Sequence, residues 1–243
     1  MDIQQLFLDP LRFEFMQRAM LAAMLVGIVS GVMGTYVVTR GMAFFGDALA
    51  HSVLPGVAAV FITGNTAQGA LLLGGLVAGV LSALGIGILS RGRQLGEDTA
   101  IGIVFAGMLA LGIALISSTR SYAVDLAHIL IGNIQAVQGD DIVLMLIAGG
   151  AVLLFVIMLY KELLVISFDP TLAKNLHLPA EGLRLALLVT LAVTVVIGVQ
   201  VAGVALVSAL LVTPAATARF FAKRLHMMMI VAAFLGALSG VGG

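Results

Sequence analysis

Asp47 and His51 stand four residues apart in Gly46-Asp47-Ala48-Leu49-Ala50-His51-Ser52-Val53-Leu54-Pro55-Gly56, within a chain otherwise dominated by hydrocarbon. On a helix that spacing puts both side chains on one face, one turn apart. A carboxylate oxygen and an imidazole nitrogen so placed can hold one divalent ion, and the pair suits Mn(II), Fe(II) or Zn(II). The chain has no cysteine, which excludes a thiolate site or a disulfide and argues against a soft ion such as Cu(I); its 12 methionines read mainly as core filler. A second reading of Asp47 is a helix cap at the membrane interface, since Gly46-Asp47 precedes an apolar run. His51 one turn deeper, followed by the helix-interrupting Pro55, favours a substrate site at a discontinuous helix instead. Four ligands are usual around such an ion. Two copies meeting on a twofold axis, each giving Asp47 and His51, would complete the set.

The elements that must hold this pair are membrane helices. The chain has 243 residues, 61% hydrophobic and 10% charged, with a mean hydropathy of +1.19. Soluble domains carry about 25% charged residues. The composition therefore predicts an all-α polytopic bundle, and the runs are too long and too aperiodic for strands. A formal net charge of +0 argues against a nucleic-acid partner. Asp2, Asp9, Pro10 and Glu14 near the start do not fit a signal peptide. One transmembrane domain, 1–243, is expected, with about eight candidate segments: 16–38, 48–62, 69–89, 99–117, 142–159, 183–199, 201–218 and 227–243. The segments 183–199 and 201–218 adjoin with almost no polar gap and read as a tight hairpin or as one broken span.

Charge orients the bundle. Arg40, Arg91, Arg93, Lys161, Lys174, Arg184, Arg219, Lys223 and Arg224 fall to one side, against Arg12, Arg18 and Arg120 on the other. The first set is expected to face the cytoplasm. Arg91, Arg93, Glu97, Asp98 and the 219–224 cluster read as solvated loop charge. Gly27–Gly31, Gly75–Gly79 and Gly236–Gly240 are small-residue faces for close helix packing, within the chain or across a dimer seam.

Three further stretches carry chemistry-bearing residues. Asp169 is a good N-cap and Pro170 suits a first helical position. They open a short helix that Pro179 ends, with Phe168, Leu172 and Leu176 on one side. Thr213-Pro214 is expected to break a membrane helix, either to line a pathway or as a plain kink. Asp125 and His128 fall in the outward 118–141 segment as an entry site, a gate or solvated groups, and Arg120 beside them as a contact for a binding protein.

Gly34-Thr35-Tyr36-Val37-Val38, Phe45 to Gly56, Asp125-Leu126 with Gly132-Asn133, Phe168-Asp169-Pro170 and Leu210 to Ala218 together resemble the signature of the ABC-3 family. Its members are permeases of ATP-binding cassette importers for zinc, manganese or iron. The resemblance spans nearly the whole chain. It implies that Asp47 and His51 bind the transported ion, and that Asp125, Gly132 and Asn133 shape an external gate. It also implies that Phe168, Asp169, Pro170, Leu172 and Lys174 form a cytoplasmic coupling helix (168–178) docking on an ATPase subunit, with glycine usual where this chain has His177. Pro55, Thr213 and Pro214 are expected to bend the helices lining the pathway. No permanent cofactor is implied beyond the transported divalent ion. The expected partners are an ATP-binding cassette ATPase, an extracytoplasmic metal-binding protein, a second permease copy and the lipid of a bacterial cytoplasmic membrane. Members of the family run longer, so a final span beyond Gly243 is expected.

The chain has no Gly-x-x-x-x-Gly-Lys-Ser/Thr loop, so hydrolysis is expected from a partner and the chain is read as non-catalytic. Two other readings use the same pair: an ion-coupled secondary transporter with Asp47 and His51 as a proton relay, or an intramembrane metalloenzyme. No His-Glu-x-x-His motif supports the latter.

Overall fold

The structure, a computed structural model, describes residues 13–42, 44–65, 67–91, 95–118 and 139–242. Asp125, His128, Gly132, Asn133 and Arg120 lie outside the described residues. The described chain is mostly helical, with no strand among those residues. In order, the helices are α1 (Glu14–Thr39), α2 (Phe45–Ser52), α3 (Leu54–Ile62), α4 (Gln68–Leu89), α5 (Glu97–Ser117), α6 (Gly139–Met158), α7 (Tyr160–Phe168), α8 (Pro170–Asn175), α9 (Ala180–Phe221) and α10 (Leu225–Gly242). Among the described residues, seven helical stretches are long and apolar enough to cross a membrane, with α2 and α3 together making one, Phe45–Ile62. Large apolar side chains such as Leu73, Ile103, Ile147, Ile157 and Phe234 point outward. That inverts the pattern of a water-soluble bundle, and the protein is a multi-pass membrane protein.

Two helices form the core. α1 and α9 bury most of their surface, and the other helices pack around them. α10 runs antiparallel to α1 because small residues let the backbones touch. A Cβ on Gly27 would strike the carbonyl of Gly236, one on Gly31 that of Ala232, and one on Gly240 that of Ala23. Close approach of this kind trades side-chain bulk for dense van der Waals contact in lipid. Gly75 and Gly79 face Val53, Val57 and Val196, so all three small-residue faces are used within the chain.

α9 is 42 residues long, which as one rod would span about 63 Å, twice a bilayer core. It does not run straight. Gly203 has φ 77° and ψ 170°, a conformation essentially restricted to glycine. The chain reverses there, so a Cβ on Gly198 would stand 2.9 Å from Val207 Cγ2. Arg184 and Arg219, at opposite ends of α9, accordingly reach the same corner of the molecule. The break expected at Thr213-Pro214 is absent: the backbone stays helical through Pro214, and Gly203 is the non-helical residue inside the element. The Thr217 hydroxyl donates to the Thr213 carbonyl at 2.9 Å across that turn.

That shared corner corrects a second expectation. Glu97, read as solvated loop charge, is only 26% exposed and binds two guanidiniums. Arg40 Nη2 lies 2.5 Å and Arg184 Nη1 3.5 Å from its Oε1. Arg184 also donates to the Gly87 carbonyl at 2.6 Å and the Ser90 hydroxyl at 2.8 Å. The ends of α1, α4, α5 and α9 are thereby knotted together. Buried ions need such multiple partners to offset desolvation.

Candidate functional site

α2 follows α1 after a tight corner. Gly41 takes φ +75° and the Met42 N–H donates to the Val37 carbonyl at 2.9 Å, closing α1 with a Schellman turn. The chain then starts α2, whose first turn contains Asp47. Asp47 is not the N-cap; Phe44 is. The carboxylate instead sits inside the first turn, where the positive end of the helix dipole favours a negative charge. Gly46 beside it is forced by packing, since a Cβ there would lie 2.7 Å from Leu211 Cδ2.

Three sides of α2 are buried: Phe45, Ala48, Leu49, Ala50 and Ser52 are all closed off. The open face carries the two polar residues. His51 is 30% and Asp47 40% exposed, and His51 Nδ1 stands 3.7 Å from Asp47 Oδ1. The same Nδ1 lies 2.9 Å from the main-chain carbonyl oxygen of Asp47. A carbonyl oxygen only accepts, so Nδ1–H is the donor and the proton is fixed there. This leaves the Nε2 lone pair free to ligate, the usual arrangement in which a backbone acceptor sets the tautomer of a metal-binding imidazole.

An aromatic brace, not evident in the sequence, holds the ring. Phe105 of α5 meets His51 edge to face, with centroids 5.6 Å apart and planes at 86°. Phe44 also meets Phe105 edge to face, at 5.4 Å and 82°. Pro55 in the first turn of α3 fits against α5 at Gly112, where a Cβ would come within 3.3 Å of its ring. α2 and α3 are thus a broken pair, and α5 lies along both. Among the described residues no third His, Cys, Asp or Glu joins the pair. A groove of about 940 Å³ between α3, α4 and α5 is lined by Pro55, Leu73, Val77 and Leu111 and bears no charged side chain, so it offers a metal nothing.

The short α8 is built as its sequence suggests. Asp169 Oδ1 accepts from the N–H groups of Thr171 and Leu172, both at 2.9 Å, capping the helix that begins at Pro170. Phe168, Leu172 and Leu176 are all exposed, while Ala173 is fully buried. Lys174 is the fifth residue of α8. His177 has φ 54°, and the Leu178 N–H donates to the Ala173 carbonyl at 3.0 Å. This is the same Schellman closure that Gly41 makes, with histidine in the glycine position.

Residues 12–243 match the model of the ABC 3 transport family. The chain is 41% identical over 96% of its length, and 78% of the other's, to the manganese transport system membrane protein MntC of Halalkalibacterium halodurans. It is 41% identical to the manganese import system permease protein ScaB of Streptococcus parasanguinis, covering 98% of this chain and 83% of that one. A probable iron transport system membrane protein of Haemophilus influenzae is 36% identical over 93% of this chain and 81% of its own. Among solved structures, PsaBC from Streptococcus pneumoniae superposes with a TM-score of 0.82 at 40% identity, over 98% of this chain and 84% of that one.

Proposed function

From the premise that the chain belongs to the ABC-3 family of transport permeases, we propose that it is the membrane subunit of an ATP-driven importer for a divalent transition metal, manganese foremost. Iron and zinc are the other ions its donor set suits. The observation that carries this reading is the open face of α2, where a carboxylate and an imidazole with a free Nε2 lie side by side on an otherwise buried helix.

One chain supplies two ligands. A second copy presenting its own Asp47 and His51 across a twofold axis brings the set to four and covers side chains that a single protomer leaves open. The ion is the cargo, so the site must bind and release it. The apolar knob Phe168, Leu172 and Leu176, with Asp169, Pro170 and Lys174, docks in the ATPase partner at the cytoplasmic face of a bacterial membrane. Nucleotide-driven closure of the ATPases moves α8 and switches access to the Asp47–His51 site. A metal-binding protein delivers the ion from outside, past a gate that includes Asp125, Gly132 and Asn133. Pro55 keeps α3 seated against α5 along the path.

Asp47→Ala and His51→Ala should each abolish manganese uptake by the assembled complex in proteoliposomes without preventing its assembly. Wild-type uptake in both variants would overturn the site.

A further inference from the structure

The knot at the inner corner and the aromatic brace at the metal pair belong to the same helix. Glu97 lies in the first turn of α5, and Phe105 stands two turns further along it, about 12 Å away at 1.5 Å per residue. At one end Glu97 binds Arg184 of α9. At the other Phe105 lies against the His51 ring. Arg184 is itself close in sequence to α8: the Leu178 N–H bonds to Ala173 of α8, the Ala180 N–H to Leu178, and the Leu183 N–H to Pro179. An unbroken run of contacts therefore leads from the exposed knob to the imidazole.

We infer that Arg184, Glu97 and Phe105 are positioning residues that carry movement of α8 to His51, with α5 as the lever. The inference rests on the reading of α8 and of the Asp47–His51 pair given above. α5 suits the task because its main packing partners are α2, which carries the pair, and the neighbouring α3 and α4. Its charged end is held instead by the shared carboxylate, where Arg40 competes with Arg184 for one Oε1. Arg40 Nη1 is buried and finds no acceptor among the described residues. Two guanidiniums on one carboxylate can shift their hold without either leaving the cluster. Coupling over this distance requires a rigid element with two arrangements, and the shared carboxylate is where the second would form.

The test uses the whole complex with its ATPase, reconstituted in proteoliposomes at saturating manganese, and reads ions imported per ATP hydrolysed. Arg184→Gln removes the α9 grip and leaves the Arg40–Glu97 pair one to one. Phe105→Leu removes the brace and keeps an apolar side chain. Each should lower the ratio at least fivefold, and the double variant should be no worse than the poorer single one, because both cut one chain of contacts. Arg184→Lys, which keeps the charge but loses the forked grip, should recover part of the ratio and stands in if Arg184→Gln fails to assemble. A wild-type ratio in either single variant, or losses that multiply in the double, would overturn the inference. Asp47→Ala measured alongside separates the two levels. If it alone stops uptake, the site stands and the lever falls; if it transports normally, the site itself is wrong.

Discussion

The imidazole of His51 and the ring of Phe105 stand edge to face, 5.6 Å between centroids, and this contact joins the helix bearing Asp47 and His51 to the helix beside it. Such pairs contribute about 0.5–1.5 kcal/mol beyond burial. Phe105→Ala frees the ring to leave the rotamer in which Nδ1 binds the Asp47 carbonyl. Manganese affinity of the purified complex should fall by roughly twofold to tenfold. Unchanged affinity by titration calorimetry would show that the brace does not orient the ring.

Gly46 and Gly34 give a paired test of packing around the site. A Cβ at Gly46 meets the Leu211 side chain, whereas one at Gly34 meets the Leu211 main-chain carbonyl. Each Gly→Ala change should cost about 1–3 kcal/mol by overpacking. Leu211→Ala is itself destabilising because Leu211 is fully buried, but it removes the obstacle at Gly46, so adding Gly46→Ala to it should lower melting little further. Adding Gly34→Ala to Leu211→Ala should keep its full cost, because that obstacle is backbone. Thermal unfolding in detergent distinguishes the two.

Gly203 is the pivot of the α9 hairpin at φ 77° and ψ 170°. Gly203→Ala should destabilise the protein by about 1–3 kcal/mol, since that region of backbone space is closed to side chains. Pro214→Ala should have a much smaller effect, because the helix is already continuous there. Equal melting points for Gly203→Ala and wild type would contradict the hairpin geometry.

His177 holds a left-handed conformation at φ 54°, at a cost for a non-glycine residue of about 1–2 kcal/mol. His177→Gly should therefore be neutral to mildly stabilising. His177→Val should destabilise the turn and weaken ATPase binding, read as the affinity of permease for ATPase in detergent.

The helical class and the Asp47–His51 pair were legible because each rests on local information: apolar run length and a one-turn spacing. The cap at Asp169 was legible for the same reason. Phe105 was not, since one aromatic on an apolar helix has no distinguishing pattern until its neighbour across the bundle is known. Glu97 was misread because its partners Arg40 and Arg184 are 57 and 87 residues away in the chain. The turn between 183–199 and 201–218 is legible from the boundary between two apolar runs, and the chain reverses close to it, at Gly203, where backbone freedom allows it. The further break expected at Pro214 is absent because the helix continues through that residue. His177 shows the converse: a residue that argues against a left-handed turn adopts it, because the hydrogen bond from Leu178 to Ala173 holds the closure.

The most direct test locates the ion in the assembled transporter loaded with manganese, by anomalous scattering or density difference against a metal-free sample. One ion on the twofold axis, ligated by Asp47 carboxylate and His51 Nε2 from each of two protomers, is the expected result. Density elsewhere, with the two pairs facing lipid or too far apart to share an ion in every captured state, would contradict the account.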